Sequence, residues 1–387
     1  MHNLWAIGFR PFFLTGSLVS MGLILYWALV YFTGNLPGGY LDVITWHAHE
    51  MIYGFVISIV AGFLLTASAN WTQTKPASGR KLLILFILWM AGRLAMLISL
   101  FEWPIPPVLF FIIDFLFIPM LAYTLAPPLL AARQLRNIQF IPVLSLLALG
   151  NLVIHLSALE VIDADYGSRG IYLGVNLILL IMVIIGGRII PFFSHNALPG
   201  LKPKRIEWLE KAVIGSLWVY IFFDFTNYST LTGWAALVAG ILNFSRLTGW
   251  KSWKTIGNPL VWILHLGYFW IAAGFILIFL SEITDLLPRS VAIHAFTAGA
   301  MGTFIIGMMS RVSLGHTGRP LKLAKGMVVS YILITASGVV RVALGFFPDI
   351  YAHGILCAGL LWAISFLLFI FYYWKILTGP RADGRPG

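Results

Sequence analysis

Apolar stretches long enough to cross a lipid bilayer recur along the whole chain of 387 residues, and this recurrence restricts the fold more than any other feature. A spanning helix needs about 20 apolar residues. In lipid every backbone polar group must find its partner inside the protein, so these stretches are expected to be helical. The sequence predicts an all-α, polytopic membrane protein with one transmembrane domain over residues 1–387. Twelve spans are predicted, at residues 11–33, 47–68, 81–101, 105–126, 138–159, 170–193, 207–227, 231–246, 258–280, 288–310, 323–347 and 351–375.

The composition excludes a set of soluble domains, because 60% of the residues are hydrophobic and only 10% are charged. Soluble domains are usually about 25% charged. The single cysteine, Cys357, excludes an internal disulfide, a Cys-x-x-Cys-His haem attachment and a thiolate-held cluster. A metal in this chain would therefore need histidine or oxygen ligands.

The basic residues predict the orientation of the chain and argue against nucleic acid as a partner. With twelve spans, 21 of the 25 basic residues fall on the side that holds both termini. Loops rich in lysine and arginine stay in the cytoplasm, so both termini are predicted to be cytoplasmic. The exceptions are Arg93, Arg169, Arg289 and Arg341. The opposite side carries the acidic residues Asp42, Glu102, Glu160, Asp163, Asp165, Glu282, Asp285 and Asp349.

Three ionisable residues, His47, His49 and Glu50, open the second predicted span in the sequence WHAHE. Residues two apart on an α-helix point about 200° away from each other, so the two histidines would serve different centres. A helix that began between them would instead allow an irregular turn with both on one ion. Glu50 shares a helical face with His47 and could bind a metal, orient His47 or relay protons. The alternative is a carboxylate that only stabilises a helix start.

The surroundings of His49 and His294 resemble each other. Each histidine is followed by glycines at offsets of five and thirteen residues, and both predicted helices run from outside to inside. Small residues let helices approach closely. The pattern predicts two parallel helices with His49 and His294 at similar depth, around one metal or haem. Chance similarity is the alternative.

Buried charges elsewhere need partners. Arg93 and Asp114 lie near the middle of adjacent antiparallel spans, and an ion pair is predicted between them. Arg188 and Arg341 could pair with haem propionates, because a guanidinium binds carboxylates in a bidentate way. Without a cofactor they would need an acid such as Asp224.

The segment SRVSLGHTGRPL, Ser310–Leu321, is predicted to form a tight cytoplasmic turn after the tenth span. It holds Arg311, His316 and Arg319, which suit an anion or a propionate; a solvated basic loop is the alternative. His265 lies about two turns inside the ninth span and could meet His316 near the same leaflet.

Several motifs together resemble the NnrS family: FRPFFL, WHAHEMIYGF, AGFLLTASANWT, GRLA, GGRIIPFF, WILHLGY, HAFTAGAMGT and RVSLGHTGRPL. The resemblance covers the chain from Phe9 to about Leu321. It implies a polytopic protein of the bacterial inner membrane that contains haem and copper and relieves nitric oxide toxicity. His2, His195 and His353 lie outside these motifs and are interpreted as interfacial residues. The histidines inside the motifs are His47, His49, His155, His265, His294 and His316.

The favoured hypothesis is redox chemistry on nitric oxide, similar to that of a nitric oxide reductase, with an electron donor that the sequence does not identify. Histidine ligands suit b-type haem and copper. A secondary transporter of haem, metal or an iron–nitrosyl species is the main alternative, and a haem-binding sensor is a third. The predicted catalytic residue is Glu50. The predicted metal ligands are His47, His49 and His294, and the predicted cofactor-binding residues are His49, His155, His265, His294, His316, Arg188, Arg311 and Arg319.

Overall fold

Helices occur at all twelve predicted positions. The computed structural model describes residues 2–101, 103–284 and 286–385, and these residues contain no strand. Among them, ten helices are long and apolar enough to cross a membrane, while α7 and α8 are more polar helices of 19 and 21 residues. Glu102 and Asp285, two acids assigned to the outer side, lie outside the described residues. The helices are α1 (Phe9–Thr33), α2 (Val43–Thr72), α3 (Gly79–Ile98), α4 (Pro107–Ala131), α5 (Leu135–Ala158), α6 (Asp165–Ala197), α7 (Glu207–Phe225), α8 (Ser229–Gly249), α9 (Pro259–Thr284), α10 (Arg289–His316), α11 (Lys325–Phe346) and α12 (Pro348–Thr378).

Internal contacts divide the chain into two compact units. The first unit comprises residues 1–177, 312–320 and 370–387, and the second comprises residues 178–311 and 321–369. The chain passes from one unit to the other within α6, α10 and α12. A single transmembrane domain and cytoplasmic termini are not tested by this division and stay predictions.

Glycines let the helices of the first unit approach one another closely. The backbones of α5 and α6 meet at Gly150 and Gly170, where a Cβ atom on Gly170 would lie 2.6 Å from the Gly150 carbonyl oxygen. Gly54 of α2 lies directly against the guanidinium of Arg93 on α3, so a side chain there would collide with it. Such small residues are typical of membrane bundles, in which packing drives helix association. They allow several polar side chains to converge inside an apolar unit.

Two helices contain a π-helical segment of seven residues directly after a histidine. In α2 the segment Glu50–Val56 follows His49, and in α10 the segment Ala295–Met301 follows His294. π-Helical turns are rare in proteins overall, but those that occur are often found at functional sites. The sequence similarity around these two histidines therefore corresponds to a shared local structure. Because the histidines belong to different units, the predicted site between α2 and α10 stays a prediction.

The turn predicted over Ser310–Leu321 is wrong for its first half, because α10 continues to His316. The glycine just before His316 costs about 1 kcal/mol relative to alanine but does not end a helix. The chain turns at Gly318, which has a φ of 70°. Arg311 and His316 are thus helical side chains, and Arg319 lies in the turn.

We expect Gly170→Ala to lower the apparent melting temperature of the protein in detergent, because the added methyl group must push α6 away from α5. Overpacking of this kind costs about 1–3 kcal/mol. Gly22→Ala on α1 is the matched control, since no atom lies within 4 Å of the added carbon. It should keep or slightly raise the melting temperature. Equal effects of the two substitutions would contradict the close approach of α5 and α6.

Candidate metal centre in the first unit

Helix α2 begins upstream of the WHAHE motif. Asp42 is its N-cap and accepts hydrogen bonds from the backbone N–H groups of Ile44 and Thr45, both at 3.0 Å. An Asp cap of this kind fixes where a helix starts. His47 and His49 therefore both lie within regular α-helix, and the alternative of an irregular turn between them is excluded.

The two histidines of the motif face different surroundings. The ring of His47 stacks on Trp27 of α1, with ring centroids 4.3 Å apart and planes 13° apart. The ring of His49 is fully buried, stacked on Tyr53, and 5.5 Å from the ring of His155. This divergence agrees with the angular separation predicted for an α-helix.

A buried arginine joins two carboxylates next to His49. Arg93 donates through Nη1 to Oε1 of Glu50 and through Nη2 to Oδ1 of Asp114. The predicted Arg93–Asp114 ion pair is thereby confirmed. All three residues are at most 7% exposed, so each charge needs the others, since an uncompensated buried charge costs several kcal/mol. Glu50, expected beside His47, is engaged here with Arg93 and His49.

The contacts of His49 identify it as a doubly protonated ring. Its Nδ1 lies 3.0 Å from Oε1 of Glu50, and its Nε2 lies 2.9 Å from Oδ1 of Asn151. The carboxylate oxygen of Glu50 accepts hydrogen bonds. The Asn151 atom facing His49 is its amide oxygen, also an acceptor, because the amide nitrogen donates to Asp114 at 2.9 Å. Both ring nitrogens of His49 must therefore carry a proton. The two positive charges of His49 and Arg93 then balance the two negative charges of Glu50 and Asp114.

Two imidazoles from different helices converge on one oxygen atom. Nε2 of His155 lies 3.0 Å from Oδ2 of Asp114, and Nε2 of His49 lies 3.2 Å from the same oxygen. The Tyr40 hydroxyl lies 3.0 Å from Nδ1 of His155 and 3.4 Å from its carbonyl oxygen. Burial, and secondarily the charge of Asp114, raise the pKa of the Tyr40 phenol, so it stays a hydrogen-bond donor.

This group of His49, Asp114 and His155 could hold a metal ion. One ligand atom from each lies within 4.8 Å of the others, and all three side chains are buried. Two ligands at about 2.1 Å from a metal lie about 3.0 Å apart at 90° and about 3.4 Å apart at 109°. The observed nitrogen–oxygen separations of 3.0 and 3.2 Å match this range.

The same cluster does not fit a haem. The rings of His49 and His155 meet nearly edge to face, with their centroids 5.5 Å apart, which leaves no gap for a macrocycle between them. Phe111 packs against His155, with the ring centroids 5.3 Å apart. The cluster therefore has two chemical capacities: a neutral hydrogen-bonded network as it stands, or a three-donor metal site after loss of protons from the imidazoles.

The other predicted histidine ligands lie elsewhere. His294, in the second unit, donates from Nδ1 to the carbonyl oxygen of Ser290 on its own helix at 2.6 Å. His265, also in the second unit, is buried, and its ring nitrogens lie 2.8 Å from the hydroxyls of Ser194 and Ser252. The predicted meeting of His265 with His316 of the first unit stays a prediction.

The predicted anion-binding arginines are also dispersed. The guanidinium of Arg311 lies 3.8 Å from the ring centroid of Phe193 and makes neither hydrogen bond nor ion pair with any residue that the structure describes. Arg188 is half-buried in α6. Arg319 and His316 belong to the first unit, where the His316 ring lies 5.9 Å from that of Phe9.

The remaining acid considered for these arginines has another partner. Asp224 is paired with Arg289, which also donates to Glu282 at 2.7 Å. Arg341 donates to the hydroxyl of Tyr351 at 3.0 Å. The second unit thus neutralises Arg289 internally.

Sequence reasoning missed Asn151 and Tyr40. Asn151 and His155 lie four residues apart in α5, on one helical face, and this spacing in an apolar span was the available signal. Tyr40 lies in the loop before α2, where a single aromatic residue carries no distinctive pattern.

We expect Arg93→Met to destabilise the protein strongly, because Glu50 and Asp114 would then share the interior with one cation fewer. Breaking a buried ion pair from one side costs about 3–5 kcal/mol. Unfolding in detergent, followed by circular dichroism, measures the loss.

The double substitution Arg93→Met with Glu50→Gln separates charge from packing. It removes one charge of each sign and should recover part of the stability lost by Arg93→Met alone. Arg385→Met, at an exposed arginine, is the control for loss of an arginine side chain. No recovery in the double variant would show that Arg93 acts through packing.

Comparison with known proteins gives one match. A search of curated proteins finds none that matches this chain. The family model described as NnrS protein matches residues 3–381. Because this match extends over nearly the whole chain, the protein belongs to the NnrS family.

Proposed function

We propose that this protein is a membrane oxidoreductase of nitric oxide metabolism, with copper held by His49, Asp114 and His155. Membership of the NnrS family fits a nitric-oxide-related membrane protein. The observation that carries the proposal is the convergence of two imidazole Nε2 atoms on Oδ2 of Asp114 at 3.0 and 3.2 Å. We place the protein in a bacterial inner membrane, where an apolar gas such as nitric oxide is soluble.

Copper suits the donor set. Two imidazoles and one carboxylate, without a thiolate, are compatible with copper, and geometry and availability decide among first-row metals. Bound copper would supply one-electron redox chemistry toward nitric oxide. The reaction that we propose converts two nitric oxide molecules, two electrons and two protons into one nitrous oxide and one water.

The surrounding side chains would orient the ligands. Asn151 and Arg93 fix the two oxygens of Asp114, and Tyr40 engages Nδ1 of His155, so that Nε2 faces the site. Glu50 bonds Nδ1 of His49 at 3.0 Å. A carboxylate behind a metal-binding imidazole sets its tautomer and orientation. In the proposal Glu50 is also the acid–base group next to the centre, and tight packing excludes bulk water.

Haem, which does not fit this cluster, is assigned to the second unit. Nδ1 of His294 donates to the Ser290 carbonyl, and a backbone acceptor of this kind sets the tautomer and orientation of a metal-binding imidazole. Arg311 is 7% exposed and has no acidic partner among the described residues, so a propionate would supply its missing counter-charge. Propionate pairing by Arg188 belongs to the same proposal, whereas anion binding by Arg319, which lies in the first unit, stays a separate prediction.

Removal of one imidazole should remove the copper. We expect His49→Ala and His155→Gln to lower copper affinity at least about tenfold, because loss of a residue that merely orients a metal ligand already costs about that much. His155→Gln keeps a polar side chain for Asp114 and limits damage to the fold. Copper content after dialysis against a chelator of known affinity, and nitric oxide consumption at an electrode, measure the effect.

His195→Ala is the control, because that ring bonds the Leu201 carbonyl outside the cluster. Full copper content in both cluster variants would place the metal elsewhere. A purified protein without copper or haem would favour the transport hypothesis.

The haem assignment has an independent test. His294→Ala should abolish the Soret band of the purified protein and its shift on addition of nitric oxide, whereas His49→Ala should keep the band. Arg311→Gln should keep the band but speed haem loss to an apo-globin acceptor. Retention of the band by His294→Ala would remove His294 from the haem site.

A further inference from the structure

The second unit contains a cavity of about 400 Å³ at the cytoplasmic-side end that the sequence predicts for α9. Trp262, His265 and Phe269 line it from one face of the first turns of α9, and Trp253 and Ile256 line it from the preceding loop. No lining residue is charged. Ligand cavities commonly have volumes of about 300–1,000 Å³ and few polar groups.

The hydrogen bonds of His265 fix its tautomer. Ser194 donates its only hydroxyl proton to the carbonyl oxygen of Ile190 at 2.7 Å. Its oxygen must therefore accept from Nε2–H of His265, which lies 2.8 Å away. Nδ1 of His265 is consequently an acceptor, and it is the ring nitrogen engaged by Ser252, a residue that lines the cavity.

Ser252 has one proton and two acceptors to satisfy. Its Oγ lies 2.8 Å from Nδ1 of His265 and 3.1 Å from the carbonyl oxygen of Leu247. When it donates to one, the other loses that bond. A ligand hydroxyl in the cavity can take the place of Ser252 on Nδ1 and leave Ser252 bonded to Leu247, so that all three groups are satisfied.

These features define the occupant. The uncharged lining and the exposed apolar rim, with Trp253 60% and Ile256 75% exposed, select a lipid-soluble molecule. Two tryptophans and a phenylalanine suit an aromatic ring. Nδ1 of His265 can accept a hydrogen bond from a ligand hydroxyl in place of Ser252. We propose that this cavity binds a lipid-borne hydroquinone, with one ring hydroxyl donating to Nδ1 of His265.

This proposal adds an electron donor to the proposed function, and the role of the hydroquinone as donor rests on that function. A hydroquinone that becomes a quinone releases two electrons and two protons. These are the electrons and protons required to convert two nitric oxide molecules into nitrous oxide and water. The hydroquinone would thus be the electron donor that the sequence does not identify.

Binding can be measured without nitric oxide or added metal. The full-length protein in lipid nanodiscs is dialysed anaerobically against labelled tetramethylhydroquinone or its dimethyl ether, with empty nanodiscs as the blank. The dimethyl ether has the same ring but no hydroxyl donor. We expect the hydroquinone to bind the protein about tenfold more tightly than the ether.

Two substitutions should act in opposite directions. His265→Leu removes the acceptor and should weaken hydroquinone binding about tenfold. Ser252→Ala removes the competing donor and should tighten it about threefold, without an effect on the ether. Ser245→Ala, at an exposed serine bonded to its own helix, is the matched control and should change neither.

The opposite signs keep the test decisive even if His265→Leu fails to fold, because Ser252→Ala is a small change. Equal binding of hydroquinone and ether would show that the cavity does not recognise the hydroxyl and would overturn the proposal. Weaker hydroquinone binding by Ser252→Ala would overturn it too. Because the assay contains no nitric oxide, loss of the copper centre or of turnover would leave its result unchanged.

Discussion

Charge neutrality inside an apolar bundle is the constraint on which the first unit depends. Arg93 lies between Glu50 and Asp114, and the protonated His49 supplies the second cation. Each of these groups alone would cost several kcal/mol in the interior. Together they form a charge-neutral network in which Nε of Arg93 lacks a hydrogen-bond partner. Its ion pairs form only when α2, α3, α4 and α5 adopt one arrangement. The proposed copper site and the packing of these four helices therefore depend on the same residues.

This neutrality also bears on metal binding. Loss of one proton from His49 together with the gain of a monovalent cation leaves the total charge of the cluster unchanged. The Tyr40 hydroxyl lies within reach of both Nδ1 and the carbonyl oxygen of His155, so it can accept from Nδ1–H when Nε2 is needed as a ligand. Oxidation of the bound ion would add one positive charge to the cluster and disturb its neutrality. A monovalent metal such as copper in its reduced state is the ion that disturbs the network least.

Sequence reasoning located the helices well and the site in part. Apolar length placed all twelve helices, and ten of them, among the described residues, are long and apolar enough to cross a membrane. Similar depth in adjacent antiparallel spans was enough to pair Arg93 with Asp114. Asn151 and Tyr40 could not be predicted, because their roles depend on which faces of α5 and of a loop turn toward Asp114. The π-helical segments could not be predicted either, since a π-turn has no residue pattern of its own. The turn expected from Ser310 failed because one glycine is a weak helix breaker.

The two π-helical segments show how one local structure supports two environments. In α2 the glycine of the π-segment, Gly54, lies against Arg93 of the next helix. In α10 the corresponding Gly299 lies against Gly338 of α11. Gly338 follows Gly299 by the same number of residues as Arg93 follows Gly54. Where a Cβ atom on Gly54 would meet a guanidinium, a Cβ atom on Gly299 would meet the indole ring of Trp270 at 2.6 Å. Alanine follows His294 where Glu50 follows His49. The cluster of a guanidinium, two carboxylates and an imidazole therefore adjoins the π-helical segment of the first unit. The second unit has its own ion pairs of Arg289 with Asp224 and Glu282, but its imidazoles His265 and His294 lie against neutral hydroxyl and carbonyl groups.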